Sequence, residues 1–170
     1  MARARPALSG RVKPKASICI LFLAAAAAAC APHYIPNTDV EDNDKNRKII
    51  DFCEQYRHAV ELRNVPRLLQ LADPRYYEDG GNADASDDLD YAGLQEYLEG
   101  RFKDTRAIRY EIRYRRVGEG RKERSIYVDY TFSASYKIPT PEGELWHREV
   151  ADNRLELVPA GETFKILSGM

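Results

Sequence analysis

Three histidines, three cysteines, a dense run of acids and a dense run of bases are the side chains in this 170-residue sequence whose type and spacing could do chemistry. The acids lie between Asp73 and Asp90, seven of them against the single base Arg75. Asn82, Asp84, Ser86, Asp87 and Asp88 offer oxygen ligands, but a calcium loop of the EF-hand kind needs Gly at its sixth place and Glu at its twelfth. Counted from Asn82 those places hold Asp87 and Gly93, so the run reads as a solvated acidic loop and no metal site is expected. The bases lie between Arg101 and Arg124, ten against four acids, interleaved with Tyr110 and Tyr114. Inside a cell such a pattern can hold nucleic acid. It equally suits a wet strand face, or docking to an anionic surface such as lipid headgroups or an acidic partner. Among the histidines, His33 precedes the folded region and His58 lies one step off the apolar stripe of a helix. His147 follows Trp146 on a strand whose inward face is expected to carry Trp146, Arg148 and Val150, which points the imidazole away from the interior. One slip in register would reverse that.

The amino terminus carries a different kind of chemistry. Arg3, Arg5, Arg11, Lys13 and Lys15 stand without an acid among them, and Ser17 to Ala29 then run without a charge. This is the basic and then apolar order of an export signal. Its 13 uncharged residues fall short of the roughly 20 that a membrane-crossing helix needs. The run ends Leu23-Ala-Ala-Ala-Ala-Ala-Ala29-Cys30, which resembles the lipobox of bacterial lipoproteins, with Ala27 where the usual Leu stands. The resemblance implies cleavage before Cys30, lipidation of Cys30 and, with Ala31 next, an outer-membrane address facing the periplasm. An ordinary soluble signal ending Ala27-Ala28-Ala29 is the alternative. Export takes the chain away from nucleic acid, and no such partner is expected. Removal of residues 1–29 leaves 21 basic against 27 acidic side chains, in a length suited to one domain. Cys53 is then the single cysteine of the folded region, read as a buried apolar residue.

The elements that must position any site follow from periodicity. Residues 30–42, with Pro32 and Pro36 and no repeat, read as the lipidated Cys and a flexible tether. Ile49, Phe52, Cys53, Tyr56 and Val60 fall at helical spacing over about 44–63. Asn64 caps and Pro66 opens a short second helix to Ala72, residues 75–79 hold a short strand, and Asp90 caps a third helix with Tyr91, Leu94, Leu98 and Phe102 on its stripe. From Ile108 the period is two: Ile108, Tyr110, Ile112 and Tyr114 lie on one face, with Arg109, Glu111, Arg113 and Arg115 on the other. Gly118-Glu119-Gly120 turns into a second long strand from Ile126 to Ile138. A strand from Leu145 to about Val158 follows, its alternation slipping between Val150 and Leu155 as a bulge would cause, and Thr163 to Leu167 is the last strand.

Three helices and then a meander of strands, with Leu155 and Leu157, a turn, and Phe164-Lys165-Ile166 before Ser168-Gly169, resemble the NTF2-like superfamily over residues 43–170. The fold class expected is α+β, three helices on a curved antiparallel sheet. The resemblance implies a pocket between helices and sheet, and often a homodimer through the opposite sheet face. In the isomerase and cyclase branches that pocket carries an Asp or His base and a Tyr or acid that holds an oxyanion. Tyr56, Tyr77, Asp90, Tyr110, Asp129, Tyr130 and His147 are the residues of suitable type here, and none sits in a motif that matches. Asp129 alternates with apolar residues and should be solvated. The expected pocket wall is Phe52, Tyr56, Tyr77 and Leu94 from the helical half, with Tyr110, Tyr130 and Trp146 from the strands.

The reading this supports is an exported, membrane-anchored lipoprotein whose non-enzymatic domain binds a small apolar ligand or an envelope protein, without a cofactor. The alternatives are a lyase or isomerase of the cyclase type and a dimeric scaffold. Fold alone does not decide among them.

Overall fold

Asn43 accepts a hydrogen bond from Asn46 N at 2.9 Å and starts helix α1, Asp44–Glu61. The computed structural model describes residues 32–79, 87–122 and 124–170, so residues 1–29 that were read as a signal, Cys30 and residues 80–86 lie outside the described residues. Helix α1 buries one stripe, Ile49, Ile50, Phe52, Cys53, Tyr56 and Ala59. Asn64 caps α2, Val65–Leu71, by accepting from Arg67 N at 3.0 Å. Two short strands, β1 (Tyr77–Glu78) and β2 (Leu89–Asp90), pair antiparallel. Asp90 caps α3, Tyr91–Lys103, through Gly93 N at 2.9 Å. The rest of the chain is a meander: β3 Ala107–Glu119, β4 Ile126–Thr140, β5 Gly143–Ala160 and β6 Thr163–Ser168, antiparallel in the order β3-β4-β5-β6.

The three helices cover one face of this sheet, so the fold class is α+β as the periodicity predicts. The inner, helix-facing side is read from the pairing: Tyr110 opposite Ala134, Ile112 opposite Phe132, Tyr114 opposite Tyr130, and Val128 opposite Leu155. Tyr76, Tyr130, Ile49, Leu68, Leu94, Leu155, Leu157 and Ile166 form the deepest layer of the core.

Register decides two corrections. Pairing of β4 with β5 runs unbroken from Thr140 opposite Gly143 to Ile126 opposite Leu157, so β5 has no bulge between Val150 and Leu155. Counting back by twos from the buried Leu155 places Asn153, Ala151, Glu149 and His147 inward, and Trp146, Arg148 and Val150 outward. The alternation appeared to slip because residues 141–150 are all exposed, which removes the pressure for apolar side chains on the inner positions. Register shifts lie elsewhere: between β5 and β6, where Glu156 faces Ser168 and Leu157 faces Ile166, and in β3, where Tyr114 faces Tyr130 and Arg116 faces Asp129. Arg115 is the extra residue, and it brings Val117 inward opposite Val128.

The stretch expected as a tether is folded from Tyr34 onward. Tyr34 bridges Glu41, Ile35 N donates to Val40 O at 2.9 Å and Asp39 N to Tyr114 O at 2.9 Å, and Val40 is 3 % exposed within the core. Burial of Val40 and Ile35 outweighs the lack of periodicity around Pro36. Residues Tyr34 to Met170 are one compact unit. No helix among the described residues is long and apolar enough to cross a membrane.

Candidate functional site

A cavity of about 310 Å³ opens between the inner sheet face and the helices. Helix α1 supplies Tyr56 and Val60, α2 supplies Leu68, and α3 supplies Tyr97, Leu98, Arg101 and Phe102. The sheet supplies Ile108 and Tyr110 from β3, Phe132, Ala134 and Tyr136 from β4, and Glu149 and Asn153 from β5, with Met170 completing the wall. Tyr97 and Arg101 are exposed, which places the mouth beside the outer turn of α3. Each residue arrives by simple parity. Tyr110, Phe132, Ala134 and Tyr136 alternate inward on their strands, and Tyr97 and Arg101 follow Leu94 by three and seven along the helix.

The inner end is aromatic. Tyr56 and Tyr110 meet edge to face at 6.4 Å between ring centroids, while Tyr110 and Phe132 at 5.6 Å and Tyr130 and Phe132 at 6.4 Å are tilted. Burial pushes the phenols of Tyr56, Tyr110 and Tyr130 upward, and the hydroxyls of the three lie close enough to influence one another. They are therefore neutral donors throughout the physiological range. Tyr130 is 1 % exposed, yet its hydroxyl has no hydrogen-bond partner among the described residues. A buried hydroxyl left unpaired costs roughly 1–3 kcal/mol; Tyr130 stands behind the cavity lining, so this cost falls on the core and not on a contact with a bound molecule.

Toward the rim the wall is charged. Glu149 stands near enough to Tyr110 to add, after burial, to the rise in that phenol. Neither Glu149 nor Arg101 is held by a side-chain hydrogen bond or ion pair among the described residues. His147 shares the inner face and lies against Tyr136, ring centroids 5.0 Å apart, but it is exposed. Among the described residues no group of three or more His, Cys, Asp or Glu could hold a metal ion; the calcium reading falls mainly on residues outside the described ones.

Of the seven residues expected in the pocket wall, the structure brings Tyr56 and Tyr110 to the cavity and puts Tyr130 behind them. Phe52 is core, edge-on to Phe164 at 5.7 Å, and Leu94 is wholly buried. Tyr77, on β1, is 46 % exposed and donates to Asp88. Trp146 is on the outer face, 45 % exposed, beneath the Arg109 guanidinium at 5.0 Å. Asp90 is an exposed helix cap. Asp129 is on the outer face, bound to Arg116 at 2.8 Å and Arg154 at 2.6 Å. Partial burial would raise its carboxyl, and the two guanidinium groups overcome that and hold it below the usual range. His58 is exposed beside Glu61. Glu149 and Asn153 are the wall residues that pattern reading passed over; parity counted from Leu155 finds both. Cys53 is free and buried, and burial pushes its thiol up.

A protein from Streptomyces avermitilis described as a candidate dehydratase of the NTF2-like family superimposes with a TM-score of 0.55 at 11% identity, over 73% of this chain and 92% of that one. The fold is NTF2-like. A candidate scytalone dehydratase from Novosphingobium aromaticivorans matches with a TM-score of 0.56 at 11% identity, covering 74% of this chain and 80% of that chain. A candidate calcium/calmodulin dependent protein kinase II association domain from Xanthomonas campestris matches with 0.56 at 14% identity, covering 82% and 94%. No protein-family profile matches the sequence, and none of the curated proteins is similar to it. At these identities the NTF2-like cone is shared as architecture, across proteins described by quite different activities.

Proposed function

We propose that this chain is an exported lipoprotein, anchored at the outer membrane through lipidated Cys30, whose NTF2-like domain binds a small, mostly apolar molecule with at least one polar atom. The observation that carries the ligand part is the cavity of about 310 Å³ itself, walled by Tyr56, Tyr110, Phe132 and Tyr136, with Glu149 and Asn153 among its polar lining. That volume is at the lower end of small-molecule sites, roughly 300–1,000 Å³. A ring system fits such walls, and a polar atom on it meets the Asn153 or Glu149 side chain in the same lining. The anchor part rests on the Ala28-Ala29-Cys30 ending of the signal. Each buried methylene contributes about 0.8 kcal/mol, so more than one acyl chain makes attachment stable.

Native mass spectrometry of the gently purified, delipidated domain tests the ligand. A bound mass that is reduced in Ala134→Trp, which fills the cavity, is the expected result; a domain that flies empty removes the reading. Fractionation tests the anchor separately, because Cys30→Ala should move the protein from the membrane pellet to the soluble periplasm. A mutant that stays in the pellet overturns it.

A second reading, a lyase of the dehydratase kind, is favoured by Glu149 and its place beside Tyr110 on the inner face. In that case a captured compound loses the mass of water on incubation with the wild type and is retained intact by Glu149→Gln.

A further inference from the structure

Resting on the anchor reading, the geometry points to the outer face of the sheet as a surface that docks on a bilayer carrying anionic phospholipid headgroups. The first argument is reach. Four residue steps separate Cys30 from Tyr34, which span at most about 14 Å when fully extended, and Tyr34 is already tied to Glu41. An anchor so close leaves the part of the domain next to Tyr34 facing the membrane. That part is known from Asp39, whose amide donates to Tyr114 O on β3 and whose carboxylate holds Arg113 at 2.6 Å and Arg115 at 2.9 Å, both outward-facing.

The second argument is charge. Although the exported chain has more acids than bases, its outer face is rich in arginine. Six arginines face four acids there: Glu111 and Asp152 by strand parity, and two carboxylates that serve two guanidinium groups each, Asp39 with Arg113 and Arg115 and Asp129 with Arg116 and Arg154. Each trio therefore retains one positive charge. Arg109 and Arg148, flanking Ser135 in one cross-strand row, hold no carboxylate among the described residues. All six arginines are exposed, and guanidinium forks match phosphate geometry. The third argument is the company they keep. Trp146 and Val150, 45 % and 56 % exposed, project from the same face, and an indole beside arginines is suited to the headgroup layer.

Trp146 is the one tryptophan in the chain, so its fluorescence reports on this face directly. The lipidated protein as exported, extracted and reconstituted through its anchor, should show blue-shifted Trp146 emission and loss of iodide quenching in phosphatidylglycerol-containing vesicles. In pure phosphatidylcholine vesicles it should stay quenchable, and high salt should reverse the protection by shortening the screening length. Arg109→Gln with Arg148→Gln, which breaks no ion pair, should abolish the difference between the two vesicles. A Trp146 equally open in both vesicles while the chain pellets with them overturns the inference and leaves the face to an acidic protein. A chain that carries no acyl mass and pellets with neither vesicle removes the anchor, and this inference with it.

Discussion

Tyr114 and Tyr130 sit opposite each other across β3 and β4, and their hydroxyls have opposite fates. Tyr114 donates to Glu54 Oε1 at 2.8 Å, whereas Tyr130 has no partner among the described residues. Tyr114→Phe should therefore destabilise the domain by about 1 kcal/mol in urea titrations, the ordinary net worth of a hydrogen bond. Tyr130→Phe should be neutral or stabilising and, because Tyr130 does not line the cavity, should leave any bound mass in the native spectrum unchanged. The phenols also fix the alkaline limit. Tyr56, Tyr110, Tyr114 and Tyr130 are all raised by burial, and Tyr76, again through burial, is pushed up to about 12. The unfolded chain releases these protons near pH 10 while the folded one keeps them. Their contribution is thus complete below about pH 10 and is lost as pH rises through the folded values. Stability measured between pH 8 and 11 should fall on the alkaline side, and a flat profile would contradict the burial of these rings.

At the scale of elements, the strongest periodicities carried most of the fold. The helical stripe from Ile49 to Val60, the Asn64 and Asp90 caps and the alternation from Ile108 to Tyr114 each reappear as an element with nearly the expected bounds. Legibility failed where burial on one face no longer constrains the sequence. Along β5 the residues from Glu144 to Val150 are exposed on both sides, so Trp146 and Val150 looked like the inward set and Glu149 was passed over. Parity carried back from Leu155 was the reliable signal, because Leu155 and Leu157 are the positions the core dictates. The β3 bulge is the converse case. Its extra residue, Arg115, is invisible among neighbouring arginines, but without it Val117 would face outward. Deleting Arg115 should force either Val117 or Tyr114 off the inner face. The loss expected is at least about 2 kcal/mol, the scale of burying one such side chain, read as a lower urea midpoint. Asp90→Ala should be milder, about 1 kcal/mol for a lost helix cap.

For the whole molecule, the segment from Tyr34 to Val40 links the fold to the anchor proposed above. Prolines and the absence of periodicity made it read as tether, since a single apolar plug such as Val40 leaves no repeat to detect. Its attachment has an apolar half, Val40 in the core, and a charged half, Asp39 between Arg113 and Arg115. Hydrogen bonds from Arg113 and then Arg115 outweigh slight desolvation and hold the Asp39 carboxyl below its usual value. This contribution is present above about pH 4 and is lost as pH falls through the depressed folded value. Val40→Ala should lower stability by about 2 kcal/mol at neutral pH, whereas Asp39→Asn should remove the acid-dependent part of the segment's attachment and leave the core intact. Lengthening the chain separates attachment from docking. With the proposed anchor at Cys30, a flexible insertion of about 20 residues between His33 and Tyr34 lowers the effective concentration of the domain at the bilayer and touches neither half of the clip. The urea midpoint should not move, while Trp146 should regain iodide quenching in phosphatidylglycerol vesicles. If both stay unchanged, the outer face holds the membrane by its own affinity and the short connection is dispensable; if the midpoint falls, the segment before Tyr34 contributes to the fold.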